Sequence, residues 1–293
     1  MIEAPFQPFE PDDDPDEIED GKDKLSRHVG PTRIRDIPMK AVFPNLLTLL
    51  AICSGLTAIR FSVEDRFELA IGAIVVAAIL DGLDGRVARF LKSVTRFGAQ
   101  MDSLADFVNF GVAPAMLLYF WTLSQAGNFG WICALIFVIG AGLRLARFNV
   151  MLDNPQQPEW QKNFFLGVPA PAAALLALLP VYIGQMGISE LRDLPYISAI
   201  YALIIGLLMV SNLPTWSGKN VGQRIRSDLV FPLMIAGVLA VAFLLSNPWE
   251  ALTLISAAYL IGLPFGVIAW RKQEQKWQTK LKLPVDSGKE EKI

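Results

Sequence analysis

Histidine, cysteine and charge are all scarce in this chain, and each shortage removes a class of explanation. His28 is the only histidine among 293 residues, and it lies in a polar N-terminal stretch. Histidine chemistry within the apolar body is therefore excluded, which leaves acid–base work to carboxylates, Lys, Tyr or water. The two cysteines, Cys53 and Cys133, stand far apart in apolar blocks with no CxxC or CxxH spacing. Neither a disulfide framework nor a zinc site is supported. Charged residues make up 18% of the chain against 53% hydrophobic, whereas soluble domains carry about 25% charge. No long stretch of mixed polar and apolar residues remains to build a large soluble domain.

The net charge of −2 conceals two opposed parts. Residues 1–24 hold ten Asp/Glu against Lys22 and Lys24, with four prolines and few apolar groups. Such a composition cannot bury enough surface to offset its ordering entropy, so a disordered acidic tail is expected over 1–24. The segment also lacks the basic-then-apolar order of a signal peptide. The rest of the chain carries 24 Lys/Arg against 18 Asp/Glu. It is a basic body behind an acidic tail.

Crossing a bilayer takes about 20 apolar residues in a helix. Eight segments qualify, near 44–61, 67–90, 99–121, 130–148, 168–186, 195–213, 229–246 and 249–270. Of the 26 Lys/Arg, 23 fall in alternate connecting regions and only three in the others. By the positive-inside rule this places both termini in the cytoplasm with an even number of spans. The expectation is an all-α, polytopic membrane bundle of about eight helices, its membrane domain covering 44–270. Residues 25–43 alternate Arg33, Arg35 and Lys40 with apolar side chains. They read either as an amphipathic juxtamembrane element or as a polar lead-in with topology-setting charge. Residues 271–293 form a basic cytoplasmic tail. No internal repeat is visible, which argues against a transporter built from duplicated halves.

The informative segment is DGLDGRVARFLKSVTRFGAQMDSLADFVNFG, residues 81–111. Asp81 and Asp84 stand three apart at the cytoplasmic end of the second span, and Asp102 and Asp106 four apart at the start of the third. Those spacings put each pair on one helix face. The short basic loop between the spans lets the pairs converge. Each ionised group at membrane depth costs roughly 2.5–3.5 kcal/mol, and four carboxylates together repel. Divalent metal is the natural remedy, and an all-oxygen site suits Mg²⁺ or Mn²⁺. Two such ions form the clamp used for in-line displacement at phosphorus. Gly85 and Ala88 lack bulk, so a ligand can approach the helix closely. Arg89, with Arg86, Lys92 and Arg96, supplies charge for phosphate, and Gly98 precedes the Asp102 helix. An ion channel or transporter would also carry intramembrane carboxylates, yet it has no use for the Gly, Ala and Arg positions.

Asp81-x-x-Asp84-Gly85-x-x-Ala88-Arg89, eight residues, then Gly98-x-x-x-Asp102-x-x-x-Asp106 resembles the CDP-alcohol phosphatidyltransferase signature at every position. The stretches DSLADFVNFGVAPA, GLRLARFNV, GVPAPAAA and MVSNLPTWSGK resemble the phosphatidylserine synthase branch of that family. The likeness spans roughly residues 40–220. It implies that the four aspartates hold two divalent cations and that Asp106 is the general base. It implies further that Gly85, Ala88, Arg89, Thr95 and Gly98 face the CDP moiety, with Asn45 and Thr48 of PNxxT on the nucleotide side. The implied reaction joins L-serine to CDP-diacylglycerol and releases CMP. The family likeness also implies a homodimer. The lack of a targeting segment suggests a bacterial inner membrane, with the active site facing the cytoplasm.

Acceptor recognition is open on the residues alone. Arg144 and Arg147 sit at the cytoplasmic end of the fourth span and suit a carboxylate. Asn109 lies one turn after Asp106, and Lys219 offers a further cation. Each has an alternative reading as topology-setting or snorkelling charge, or as packing. A phosphorylated acceptor such as glycerol phosphate or inositol phosphate, or another alcohol such as choline, is not separated from serine by these cations.

Overall fold

The computed structural model describes residues 39–93, 95–152, 164–216 and 227–282. The expectations for the acidic tail 1–24, for 25–38, for Lys219 and for 283–293 lie outside those residues. Ten α-helices account for nearly all of what is described. They are α1 (Met39–Val63), α2 (Phe67–Phe90), α3 (Arg96–Asp106), α4 (Ala113–Trp121), α5 (Gly127–Leu152), α6 (Ala170–Ala177), α7 (Leu179–Gln185), α8 (Pro195–Val210), α9 (Ser227–Ser246) and α10 (Pro248–Lys282). Residues 39–43 continue directly into α1, and the first part of the basic C-terminal stretch continues α10 to Lys282.

Four helical stretches are long and apolar enough to cross a membrane: Val42–Val63, Phe97–Trp121, Leu123–Met151 and Pro248–Arg271. Ala170–Gln185, Pro195–Val210 and Val230–Ser246 are shorter apolar helices. Helix α2 matches the remaining segment of the sequence pattern, with Glu68, Asp81 and Asp84 interrupting its apolar run. This is a predominantly helical membrane architecture. Its outward surface is correspondingly greasy, with Ile79, Ile139, Leu207 and Leu239 more than half exposed. Side chains of this kind are stable there against lipid.

Local chemistry explains where the helices begin and break. Proline occupies the first turn of α4, α6, α7 and α8, where its missing N–H costs nothing. Pro180 also splits the fifth apolar segment into α6 and α7. Between α3 and α4 the chain runs through a π-helical turn, Phe107–Val112, immediately after Asp106. Such turns insert one extra residue and re-aim the side chains around them.

Packing is closest where glycines meet. A Cβ on Gly140 of α5 would lie 2.6 Å from the Gly206 carbonyl oxygen of α8, and one on Gly206 would lie 3.0 Å from the Phe137 Cα. Small residues let the two backbones touch, which is how helices associate when lipid is the solvent. Gly206→Val is therefore expected to destabilise the protein by about 1–3 kcal/mol. The check is the thermal unfolding midpoint in detergent; an unchanged midpoint would show that the contact is not needed.

One element was not expected from an all-α pattern. Strands β1 (Phe164–Leu166) and β2 (Pro214–Trp216) pair antiparallel, with Phe164 opposite Trp216 and Leu166 opposite Pro214. Gly167 follows β1 at φ +79, a conformation that favours glycine, and a Cβ there would strike the Met209 carbonyl oxygen. The pair ties the connection after α5 to the one after α8. Runs of three residues between helices carry no period that would reveal such pairing.

Candidate active site

Helices α2 and α3 bring the aspartates together from their separate spacings. One carboxylate oxygen each from Asp81, Asp84 and Asp102 lie within 4.8 Å of one another. Asp106 stands beside this group, close enough to interact electrostatically with Asp81 and Asp102. The closest group has three members rather than four, and Asp106 is also within electrostatic reach of Arg144 of α5.

The residues fit a divalent cation on their own chemistry. All the donors are carboxylate oxygens, suited to hard ions. Asp81 Oδ1 is buried and has no hydrogen-bond partner, so an acceptor is held ready with nothing donating to it. Asp84 is buried at 3% exposure. Thr48 of α1 donates to Asp84 Oδ2 at 2.5 Å and holds that carboxylate in place. Pro44 sets this up from within α1: its carbonyl also lies 3.2 Å from the Thr48 hydroxyl.

Beside the carboxylates is a cavity of about 310 Å³, at the small end of the roughly 300–1,000 Å³ typical of ligand sites. Its walls include Asn45, Thr48, Gly85, Ala88, Arg89, Thr95 and Gly98, together with Asp84 and Asp102. Every residue expected on the nucleotide side therefore faces one space. A Cβ at Gly85 would meet nothing within 4 Å, so the helix backbone is open to the cavity there. Gly98 is tight instead: a Cβ would sit 3.0 Å from both Asn45 Oδ1 and Thr95 Oγ1. Thr95 caps α3, accepting a hydrogen bond from the Gly98 N–H at 3.0 Å. Pro44, Ser93 and Ala99 also line the cavity and were not anticipated. Ser93 Oγ is buried without a partner, but nothing in the local pattern distinguishes it from a loop serine.

The acceptor-side candidates divide. Arg144 is buried at 8% exposure, stacks over the Phe148 ring at 5.7 Å, and has its Nε without a hydrogen-bond partner. No carboxylate lies within ion-pairing distance of it among the described residues. Arg147, one turn later, donates to Val210 O at 3.0 Å, Ser211 O at 3.1 Å and Asn212 Oδ1 at 3.1 Å. It satisfies the carbonyls left open at the end of α8. Asn109 is fully buried in the π turn, its amide oxygen against Gly55 of α1 and both polar atoms without partners.

A family model for CDP-alcohol phosphatidyltransferase matches residues 41–211, which is more than half of the chain. The chain belongs to the CDP-alcohol phosphatidyltransferase family. A second model, CDP-alcohol phosphatidyltransferase 2, matches residues 228–264 in α9 and α10. This family member is 40% identical over 238 residues to a CDP-diacylglycerol–serine O-phosphatidyltransferase of Mycobacterium leprae, covering 80% of this chain and 76% of the other. It is 36% identical over 234 residues to the protein of the same name from Helicobacter pylori, covering 78% and 91%. It is also 35% identical over 175 residues to an archaetidylserine synthase of Methanothermobacter thermautotrophicus, covering 58% and 67%. The match at 41–211 takes in all four aspartates, the whole cavity wall, and Arg144 and Arg147.

Proposed function

We propose that this phosphatidyltransferase moves the phosphatidyl group of CDP-diacylglycerol to the hydroxyl of L-serine and releases CMP. The observation that carries the proposal is the meeting of the aspartate cluster with a cavity walled by every nucleotide-side residue. The names of the relatives point to the same acceptor.

The roles follow from position. Asn45, Thr95 and Arg89 line the space for the cytidine diphosphate, while Gly85 and Ala88 leave room for it against α2. Asp81, Asp84, Asp102 and Asp106 hold two divalent ions, Mg²⁺ or Mn²⁺, which when bound neutralise the diphosphate and stabilise the leaving oxygen. Asp106 is the carboxylate that faces both the cluster and Arg144. It takes the proton from the serine hydroxyl, which is too weak a nucleophile at neutral pH without a base. The serine oxygen bonds to the diacylglycerol-side phosphorus, the bond from that phosphorus to the CMP oxygen breaks, and Asp106 retains the proton. Arg144 is the receptor for the serine carboxylate: its guanidinium is buried, and its Nε has no hydrogen-bond partner and is available to an entering anion. Asn109 orients the acceptor from the π turn; Lys219, outside the described residues, is kept from the sequence as a further cation. Arg147 serves the same end of the site by holding the α8 terminus.

We place eight spans with both termini and the site on the cytoplasmic side of a bacterial inner membrane. The few basic residues of the opposite side support this: Arg60 pairs with Glu64 at 2.8 Å, and Arg192 donates to the Trp121 carbonyl at 3.2 Å. A homodimer is the assembly carried over from the family.

The test is CMP release by purified protein given CDP-diacylglycerol, Mg²⁺ or Mn²⁺, and each alcohol in turn. L-serine is expected to drive release well above glycerol phosphate, inositol phosphate and choline. Release that does not depend on serine overturns the proposal.

A further inference from the structure

The turn that joins α2 to α3 is built around a lysine. Helix α2 ends with Lys92 at φ +50, in the left-handed region where glycine is the usual occupant. The bonds that close the helix run through the same residues. The Lys92 N–H donates to the Arg89 carbonyl at 3.2 Å, and the Ser93 N–H to the Ala88 carbonyl at 3.0 Å. The chain therefore leaves α2 at a sharp, hydrogen-bonded corner, and Ser93 is the residue fixed there. It lines the cavity beside the aspartates.

Ser93 differs from the other hydroxyls of that wall. Thr48 donates its proton to Asp84, and Thr95 accepts from the Gly98 N–H. Both are engaged by the fold. Ser93 Oγ is shielded from solvent and has no hydrogen-bond partner, although the residue as a whole is only half-buried. A shielded hydroxyl without a partner destabilises the protein, and a left-handed lysine before it adds strain. Nothing in the packing offsets either. A ligand can, because the hydroxyl has no bond to break before it turns about Cα–Cβ to meet one.

Position decides which part of the ligand it meets. Asp84 stands nine residues before Ser93, back along α2, and Asp102 nine residues after it, along α3. The carboxylates thus lie towards one end of the cavity and the turn at the other. A helix rises about 1.5 Å per residue, so Arg89 already stands about 7–8 Å beyond Asp84. The diphosphate belongs with the aspartates, and the acyl chains with the apolar run of α2 that precedes Asp81. The nucleoside is the part left for the turn.

We infer that Ser93 is a nucleoside-binding residue, whose hydroxyl hydrogen-bonds the cytidine at the end of the cavity remote from the aspartates. This rests on CDP-diacylglycerol as the donor substrate and is independent of the acceptor. A hydroxyl both donates and accepts, so it suits a ribose hydroxyl or a polar edge of the base. The corner at Lys92 fixes the Ser93 backbone before the nucleotide arrives, which lowers the ordering cost of binding.

Ser93→Ala removes the hydroxyl alone. Binding of CMP and of inorganic pyrophosphate to the full-length protein in detergent, with Mg²⁺ in excess, is measured by titration calorimetry. The Kd for CMP is expected to rise about three- to tenfold in S93A, the worth of one neutral hydrogen bond. The Kd for pyrophosphate should stay within about twofold. Without nucleotide, S93A is expected to unfold at the same temperature as the unmodified protein or a higher one, since the lost hydroxyl had no partner. An unchanged Kd for CMP overturns the inference. Equal weakening of pyrophosphate also overturns it, by moving Ser93 to the phosphate end. A lower unfolding midpoint does the same, by giving the hydroxyl a partner within the protein. If the unmodified protein binds neither CMP nor CDP-diacylglycerol, the failure is of the donor reading itself.

Discussion

Asp106→Asn is expected to lower serine-dependent CMP release by about 10²–10⁴-fold while CDP-diacylglycerol still binds. The substitution keeps the size of the side chain and its place at the end of α3 but removes its capacity to take a proton. Asp106 is singled out by position. Asp81, Asp84 and Asp102 gather within 4.8 Å of each other, whereas Asp106 reaches from that group towards Arg144, where the acceptor carboxylate is proposed to sit. A base must lie within hydrogen-bond reach of the proton it removes. The measurement is kcat at saturating serine, paired with binding of CDP-diacylglycerol to the variant. Full turnover would remove Asp106 from the base role. Loss of CDP-diacylglycerol binding together with turnover would assign it to the metal site alone.

Removal of divalent cations with EDTA is expected to cut turnover by about 10³-fold or more, with recovery on adding Mg²⁺ or Mn²⁺. The magnitude follows from the crowding of charge. Two carboxylates 4.8 Å apart repel by roughly 3–4 kcal/mol at an effective dielectric of about 20. With three or four such groups in a confined site, cations have a large free energy to gain. Asp81→Asn is expected to weaken Mn²⁺ binding by at least about tenfold, because it replaces the one carboxylate whose buried oxygen has no donor. Titration calorimetry or the paramagnetic signal of bound Mn²⁺ reads this without any turnover. Mn²⁺ affinity equal to that of the unmodified protein would take Asp81 out of the ligand set.

Much of α9 is exposed, from Phe231 at 73% to Leu245 at 79%. Helix α10 packs instead on α6, α7 and β2. The cavity beside the aspartates is lined from α1, α2, α3 and the turn between the last two, whereas Arg144 comes from α5.

How much of this was legible in the chain can be stated residue by residue. The aspartates were legible because i, i+3 and i, i+4 spacings fix a helix face, and a short loop leaves two adjacent helices little choice but to meet. Gly85 and Ala88 stood out because they lack bulk on the same helix as Asp84, whereas Thr95 and Gly98 were placed on the cavity side by the family resemblance alone. The apolar blocks gave the helical membrane class, since it depends on composition along a line. Other features depended on which helices approach one another in space. Thr48 bonding Asp84 joins α1 to α2 through one hydroxyl. Arg147 and Arg144 sit three apart and look alike in sequence, yet one is consumed by the end of α8 while the other stays buried with its Nε unbonded. Strands as short as β1 and β2 carry no pattern at all. Local periodicity tells which way a side chain leaves its own helix. Only the tertiary structure decides what is waiting there, because the partner arrives from a part of the chain whose distance in sequence sets no distance in space.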